Sequence, residues 1–373
     1  MATFLKTTQI PIHGASTLPG RYYTSDDVFR EEGERIFGER WMLVGREDEI
    51  PKSGDFTLHQ VAGESIIVVR GNDDAIRAFY NVCRHRGTRM CEAASGNMGN
   101  AIQCPYHSWS YALDGRCIGA PHMTGLDGFD KHDYPLHDVP TALWEGFIFI
   151  NLSNNPEPFA RAWAPLIGRF SRFNLSALRA ARRNEYDVNA NWKLVYQNYS
   201  ECYHCSPVHP ALVRITPATS GENDLVEGPF LGGYMVIQEH GGSLTMTGRA
   251  CGTLVGDQLP AEDHNRVYYY SILPNMLLSL HPDYVMVHKL YPLAPNRTHV
   301  VCEWLFNPES FKNPAFDADD AAAFWDMTNR EDWHVCELSQ KGISSRAYAP
   351  GPYSPRESVS VQWDREYKKI MGA

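Results

Sequence analysis

The chain has 373 residues, 43% of them hydrophobic and 21% charged, which excludes a disordered or fibrous protein and leaves room for two globular domains. A net charge of −10 argues against non-specific nucleic-acid binding. No apolar run reaches the roughly 18 residues that a membrane-spanning helix needs, so no membrane partner is expected.

Residues 1–40 read as an entry arm with one helix, capped by Ser25 before Asp26 and Asp27, with Val28, Ile36 and Phe37 on its apolar side. The start, Met1-Ala2-Thr3-Phe4-Leu5-Lys6, lacks the charged head and apolar core of a secretory signal. Together with an odd count of nine Cys, this predicts a cytoplasmic chain. Cys83 and Cys104 are then candidate ligands and the rest free thiols, with Cys91, Cys117, Cys251, Cys302 and Cys336 as small core residues.

From 41 to 155 the pattern is one of short strands and turns. Residues 65–70 and 146–151 are strand-like, and Asp114-Gly115 marks a hairpin after residues 109–113. Between the strands lie Cys83-Arg84-His85 and Cys104-Pro105-Tyr106-His107. Each half offers one thiolate and one imidazole. That donor set suits a Rieske [2Fe–2S] cluster, two Cys on one iron and two His on the other. Neutral His in place of a thiolate pair raises the potential, to about −150 to +300 mV. Tetrahedral zinc competes for the same four ligands. Zinc fingers usually pair Cys with Cys and His with His, whereas both halves here are mixed.

The polar passage 153–158 marks a change of texture. Beyond it, helix is expected over 159–173, strands near 181–188, 233–237, 267–272, 284–288 and 299–304, and a long helix over 319–344. Asp317, Asp319 and Asp320 suit the start of that helix, where the dipole favours negative charge. There is no internal repeat. The fold class is therefore α+β, an antiparallel sheet with long helices following a small all-β module.

The second half carries its own constellation. His204 and His209 flank Pro207, which breaks the helix and turns the second imidazole back. Two imidazoles and one carboxylate form a facial triad for non-haem Fe(II), leaving positions open for O₂ and substrate. Asp332 is the favoured carboxylate; Glu331 and Glu337 are the alternatives. Asn198 lies one turn before Glu201 and is placed in the iron pocket. Trp192 reads as core. Tyr268, Tyr269 and Tyr270 could form a cation-binding wall, but strand alternation leaves at least one of them to plain packing, and two by preference.

Taken together, these residues resemble the α subunit of Rieske non-haem iron oxygenases. The resemblance rests on the two Cys/His motifs, Asn191-Trp192-Lys193, the run from Asn198 through Glu201 to His204, His209-Pro210, Glu331-Asp332 and Gln340-Lys341-Gly342. It implies an N-terminal Rieske [2Fe–2S] domain over 41–155 and a C-terminal helix-grip catalytic domain over 156–373, with the arm 1–40 packed on the latter. It also implies a head-to-tail homotrimer and a separate flavin or iron–sulfur reductase that supplies NAD(P)H electrons. Glu201 occupies the position at which an acidic residue bridges a His of each metal site across neighbouring subunits, here His107 and His204; the simpler role is to orient His204 alone. Many ring-hydroxylating members carry Asp at that position. The Glu form, with the stretch from Trp325 to Asn329 and on to Tyr353, looks more like the glycine betaine and carnitine oxygenases.

The function expected is that of a terminal oxygenase using O₂ to hydroxylate or N-demethylate a small organic substrate, a quaternary ammonium compound being the leading candidate. An aromatic ring-hydroxylating oxygenase acting on an aromatic carboxylate is the alternative. A non-catalytic Rieske electron carrier is the remote one, since a carrier needs no iron triad. A zinc-stabilised binding module is the remaining class.

Overall fold

The protein is described by a computed structural model covering residues 3–239 and 241–373. It divides into two compact units, Gly33–Trp163 and the stretch up to Glu32 together with Ala164–Ala373. The first unit thus begins before, and ends after, the 41–155 span expected from sequence. Phe159 and Trp163 belong to it because they pack on Trp41, Phe149 and Trp144 with ring centroids 4.4–5.3 Å apart.

Gly33–Trp163 is built from small antiparallel sheets. The central strand Glu64–Arg70 pairs with Asp55–Val61 and Ile76–Tyr80. Its run of Ile and Val is buried on both faces, as an interior strand requires. Phe147–Ile150 sits between Thr141–Trp144 and Met42–Arg46. The hairpin from Ser110–Ala112 to Cys117–Gly119 turns at Asp114-Gly115, with Gly115 N–H donating to the Ala112 carbonyl at 2.9 Å. Ile67, Val69, Phe79, Ile102, Trp109, Tyr111 and Leu113 pack together around Cys83 and Cys104.

The second unit holds an eight-stranded antiparallel sheet in the order Leu5–Lys6, Glu222–Leu225, Phe230–Val236, Arg266–Ile272, Met276–Leu280, Val285–Ala294, Arg297–Phe306 and Arg179–Val188. The helix Ala318–Ile343 lies against it, capped by Asp317, whose carboxylate accepts from Asp319 N–H at 2.9 Å. Its buried face runs through Ala321, Phe324, Trp325, Thr328, Trp333, Cys336 and Gln340, spaced near the helical period. Two shorter helices, Trp192–Tyr199 and Ser358–Met371, complete the layer.

Three local expectations differ from the structure. Only Phe159–Ala162 and a 3₁₀ turn at Ser171–Phe173 form within 159–173, because Pro165 lacks an N–H and Gly168 is left-handed. Met276–Leu280 is a strand that sequence did not flag; it is buried throughout, so it shows no alternation. Ser358–Met371 is a helix that sequence did not flag; its first turn alternates Ser with Val, and its remaining turns bury Trp363 and Tyr367.

One buried polar cluster ties the arm, the helix Trp192–Tyr199 and the helix Ser358–Met371 together. Glu32 accepts from Lys193 Nζ at 2.5 Å, Trp192 Nε1 at 2.8 Å and Tyr367 Oη at 2.5 Å. Both members of the Glu32–Lys193 pair are fully buried. Burial pulls the Lys193 ammonium below its ordinary pKa, while Glu32 opposes that shift. Lys193→Met should leave Glu32 uncompensated and lower the stability of this unit by about 3–5 kcal/mol. Glu32→Gln combined with Lys193→Met should restore much of the loss. Chemical denaturation followed by tryptophan fluorescence measures both.

Candidate metal centres and substrate cavity

The two Cys/His loops share one backbone plan. Cys83 N–H donates to the Thr88 carbonyl at 2.9 Å and Gly87 N–H returns to the Cys83 carbonyl at 3.0 Å. Cys104 N–H likewise donates to Trp109 at 2.8 Å, and Ser108 N–H returns to Cys104 at 3.1 Å. The residue four beyond each Cys, Gly87 or Ser108, is left-handed (φ +76° and +58°). This tight turn is what lets a His two or three residues after each Cys point to the same side.

Cys83 and Cys104 are buried, and the rings of His85 and His107 approach to 4.7 Å between centroids. His85 stacks on Trp109 at 5.0 Å, and its buried Nδ1 has no partner among the described residues. The Tyr111 hydroxyl lies 3.3 Å from Cys83 Sγ and accepts from Arg84 N–H at 3.0 Å. Amides of Tyr106 and His107 point at Cys104. Burial raises the Cys104 thiol above its ordinary pKa. An orphaned ring nitrogen, two buried sulfurs and amides directed at sulfur fit a cluster of the Rieske type.

In the second unit His204, His209 and Asp332 converge. His204 follows the helix Trp192–Tyr199 and opens the single turn Cys205–Val208; Pro210 starts the next helix straight after His209. His204 Nε2 lies 3.2 Å from His209 Nε2, and Asp332 Oδ1 lies 3.2 Å and 2.9 Å from them. Three ligand atoms about 3 Å apart suit one cation bonded at about 2.0–2.2 Å to each. Their outer nitrogens are held by carboxylates. His204 Nδ1 meets Glu201 Oε1 at 2.6 Å, and His209 Nδ1 meets Glu331 Oε2 at 2.7 Å. Both lone pairs therefore face inward as Nε2.

Electrostatics tell the same story. Burial would lower the His204 pKa, but hydrogen bonds to Asp332 and Glu201 raise it to about 10. Asp332 is half-buried, and its desolvation would raise it, yet the two imidazoles hold it at about 2. A site that grips a proton so firmly is a strong base towards a metal ion.

These groups open into a cavity of about 320 Å³. Its wall carries Asn198, Tyr199, Leu231, Tyr269, Trp325 and Thr328, of which Leu231, Trp325 and Thr328 are buried; of its other lining residues Lys6, Thr8 and Thr219 are exposed and Arg356 is half-buried. Asn198 Nδ2 is 3.3 Å from His204 Nε2, beside the metal position. Gly232 lines the same wall at φ +145°, where a Cβ would sit 2.0 Å from the Tyr269 carbonyl. Only glycine lets the two strands approach so closely here.

A family model for the ring hydroxylating alpha subunit (catalytic domain) matches residues 175–373, and one for the Rieske [2Fe-2S] domain matches residues 40–130. The chain belongs to the Rieske oxygenase α-subunit family. It is 32% identical to the glycine betaine monooxygenase oxygenase subunit of Chromohalobacter salexigens, covering 91% of this chain and 82% of that one. It is 38% identical to the carnitine monooxygenase oxygenase subunit of Acinetobacter baumannii over 52% of this chain and 53% of that protein. Among solved structures it is similar to the quaternary ammonium Rieske monooxygenase CntA in complex with L-carnitine, with TM-score 0.78, 25% identity and 96% of both chains covered.

Within this Rieske oxygenase the other candidates separate. Glu331 touches His209 from behind, whereas Glu337 is engaged elsewhere, accepting from Asn189 N and Nδ2 at 3.0 and 3.1 Å. Tyr268 and Tyr270 point away from the cavity, donating to Asp263 at 2.5 Å and Asp224 at 3.0 Å; Tyr269 alone of the three lines it. Trp192 is fully buried. Cys202 and Cys205 correct the expectation that all cysteines other than Cys83 and Cys104 are free thiols. They form a disulfide, because the turn around Glu201 and His204 brings their Cα atoms to 4.9 Å. Among the described residues no helix is long and apolar enough to cross a membrane. Sequence reasoning missed Glu331 as the partner of His209, and missed Trp325, Leu231 and Arg356 as cavity residues; Glu331 and Trp325 lie in stretches that carry the resemblance, but no local signal says which way any of the four faces.

His204→Ala, His209→Ala and Asp332→Ala should each abolish mononuclear iron, while Glu337→Ala should keep it; metal analysis beside the visible spectrum of the cluster checks both. Removing iron with a chelator at pH 8 should take protons up from solution, since the emptied His204 re-protonates below about 10. An indicator dye in weak buffer reads that uptake, which should shrink in Glu201→Gln.

Proposed function

We propose that Cys83, His85, Cys104 and His107 hold the [2Fe–2S] cluster, that His204, His209 and Asp332 hold Fe(II), and that this oxygenase hydroxylates or N-demethylates a quaternary ammonium compound. When bound, the cluster supplies single electrons and the iron supplies the position at which dioxygen is activated. The observation that carries the substrate class is the aromatic wall, Tyr199, Tyr269 and Trp325, beside the metal ligands. Aromatic faces attract a quaternary ammonium group that no hydrogen bond can hold. The relatives named for glycine betaine and carnitine point to the same chemistry.

Each residue then has a task. Glu201 and Glu331 keep the Nδ1 protons of His204 and His209 and fix both rings. Asn198 directs its amide at the metal face. Burial pushes the Tyr269 hydroxyl well above its ordinary pKa, so it stays a neutral donor. The buried Leu231 and Trp325 keep water from their part of the cavity.

Electrons reach this chain from a separate flavin or iron–sulfur reductase oxidising NAD(P)H. In a head-to-tail homotrimer the neighbouring copy docks its His107 against Glu201, and the carboxylate links the two imidazoles. Tyr106 beside His107 and Tyr203 beside His204 are both more than half exposed, as such docking requires.

Reconstitution with a reductase and NAD(P)H should give formaldehyde or a hydroxylated product from glycine betaine or carnitine. Turnover of an aromatic carboxylate with none of a quaternary ammonium compound would overturn the assignment. Glu201→Gln should retain both metals yet slow single-turnover oxidation of the reduced cluster by at least about tenfold, read by stopped-flow absorbance.

A further inference from the structure

The cavity wall is chemically mixed. It brings the rings of Tyr199, Tyr269 and the buried Trp325 together with His204, His209 and Asp332. It also carries two cations, Arg356 and Lys6. The carboxylates nearby are already committed. Glu222 accepts from Tyr234 Oη at 2.7 Å, Glu357 accepts from Ser354 N–H at 2.7 Å, and Glu201 binds its own turn and His204.

The two cations form no such contact, although Lys6 lies directly opposite Glu222 where Leu5–Lys6 pairs with Glu222–Leu225. Arg356 is half-buried and forms no ion pair among the described residues; its guanidinium reaches only the Ala218 carbonyl, at 3.4 Å, which is also on the cavity wall. Lys6 is exposed at the end of the short strand Leu5–Lys6 and likewise forms no ion pair among the described residues. A partly desolvated guanidinium with spare donors, facing a cavity, is a fork for a planar anion.

We infer that Arg356, assisted by Lys6, is the anion-binding end of the substrate cavity, so that this oxygenase takes a substrate with a carboxylate at one end and an ammonium group at the other. The inference builds on the quaternary ammonium assignment and narrows it to zwitterions, excluding cationic alcohols such as choline as good ligands. The aromatic wall holds the methylated nitrogen at the iron end, and Arg356 fixes how far in the molecule can travel. A substrate anchored at both ends presents one methyl group, or one neighbouring carbon, to the metal.

The test compares binding of four probes to the iron-loaded holoenzyme by titration calorimetry at low salt. They are glycine betaine, choline, 3,3-dimethylbutanoate (the uncharged-carbon analogue of betaine) and benzoate. Arg356→Gln should weaken glycine betaine and 3,3-dimethylbutanoate by about tenfold or more, the loss expected for a charge-assisted hydrogen bond. Choline should change less than about twofold, and Arg356→Lys should fall between. An equal loss for choline would reduce Arg356 to a structural role, and unchanged betaine binding would remove it from the site. Failure of every carboxylate to bind the parent enzyme would also overturn the inference. The quaternary ammonium assignment fails separately: benzoate or 3,3-dimethylbutanoate would then match or exceed glycine betaine in the parent enzyme, while Arg356→Gln still weakened all three.

Discussion

Two imidazole nitrogens 3.2 Å apart, with a carboxylate oxygen within 3.2 Å of both, are the constraint around which the larger unit is arranged. Lone pairs so crowded are unfavourable unless a cation sits among them. Here the cation is a proton or a metal ion, and the outer carboxylates Glu201 and Glu331 make the choice one of pH and metal supply. The fold meets the demand with rigid elements. His209 is pinned between two helical turns by Pro210, and Asp332 and Glu331 ride together on a helix of 26 residues. Adjacent positions on that helix thus do different work, one facing the two imidazole Nε2 atoms and one facing the back of His209.

The same helix joins the His204–His209–Asp332 cluster to the cavity. Trp325 and Thr328 lie two turns and one turn before Asp332, so the residue that closes the site and the residues that shape the substrate space move as one body. Opposite them, the strand Arg266–Ile272 sorts its side chains by alternation. Tyr269 and Ser271 face the cavity, while Tyr268 and Tyr270 pack outward, edge-on to Phe173 and tilted against Phe170, and bond to Asp263 and Asp224. A polar back and an aromatic front on one strand hold Tyr269 in a fixed orientation without using its hydroxyl for support.

The cluster loops solve a different problem with local means. Each is a tight turn closed by its own backbone hydrogen bonds, so each delivers its Cys and His as a preassembled half-site. The surrounding core supplies what a turn cannot, namely Trp109 stacked on His85 and the Tyr111 hydroxyl at Cys83. Those contacts exclude water and donate towards sulfur, the two levers by which a protein sets a cluster potential.

How much was legible follows from this contrast. The chemistry carried by residues close in sequence was readable directly: both Cys/His loops, His204 with His209, the cap at Asp317, and most strands of the large sheet, because turns, caps and alternation are local. Asp332 was the favoured carboxylate, but sequence left Glu331 and Glu337 open. All three sit on one helix, and only its rotation against the sheet places Asp332 inward, Glu331 behind His209 and Glu337 at Asn189. The disulfide between Cys202 and Cys205 and the strand Met276–Leu280 were likewise hidden, the first by a turn geometry that C-x-x-C spacing permits but does not impose, the second by burial on both faces. Arg356 lies 147 residues beyond His209 in a stretch without a motif, and its place on the cavity wall exists only because the helix Ser358–Met371 folds back beside the strand Phe230–Val236. Sequence alone determined which chemical groups are present and how their nearest neighbours hold them; long-range packing decided which of those groups share a cavity.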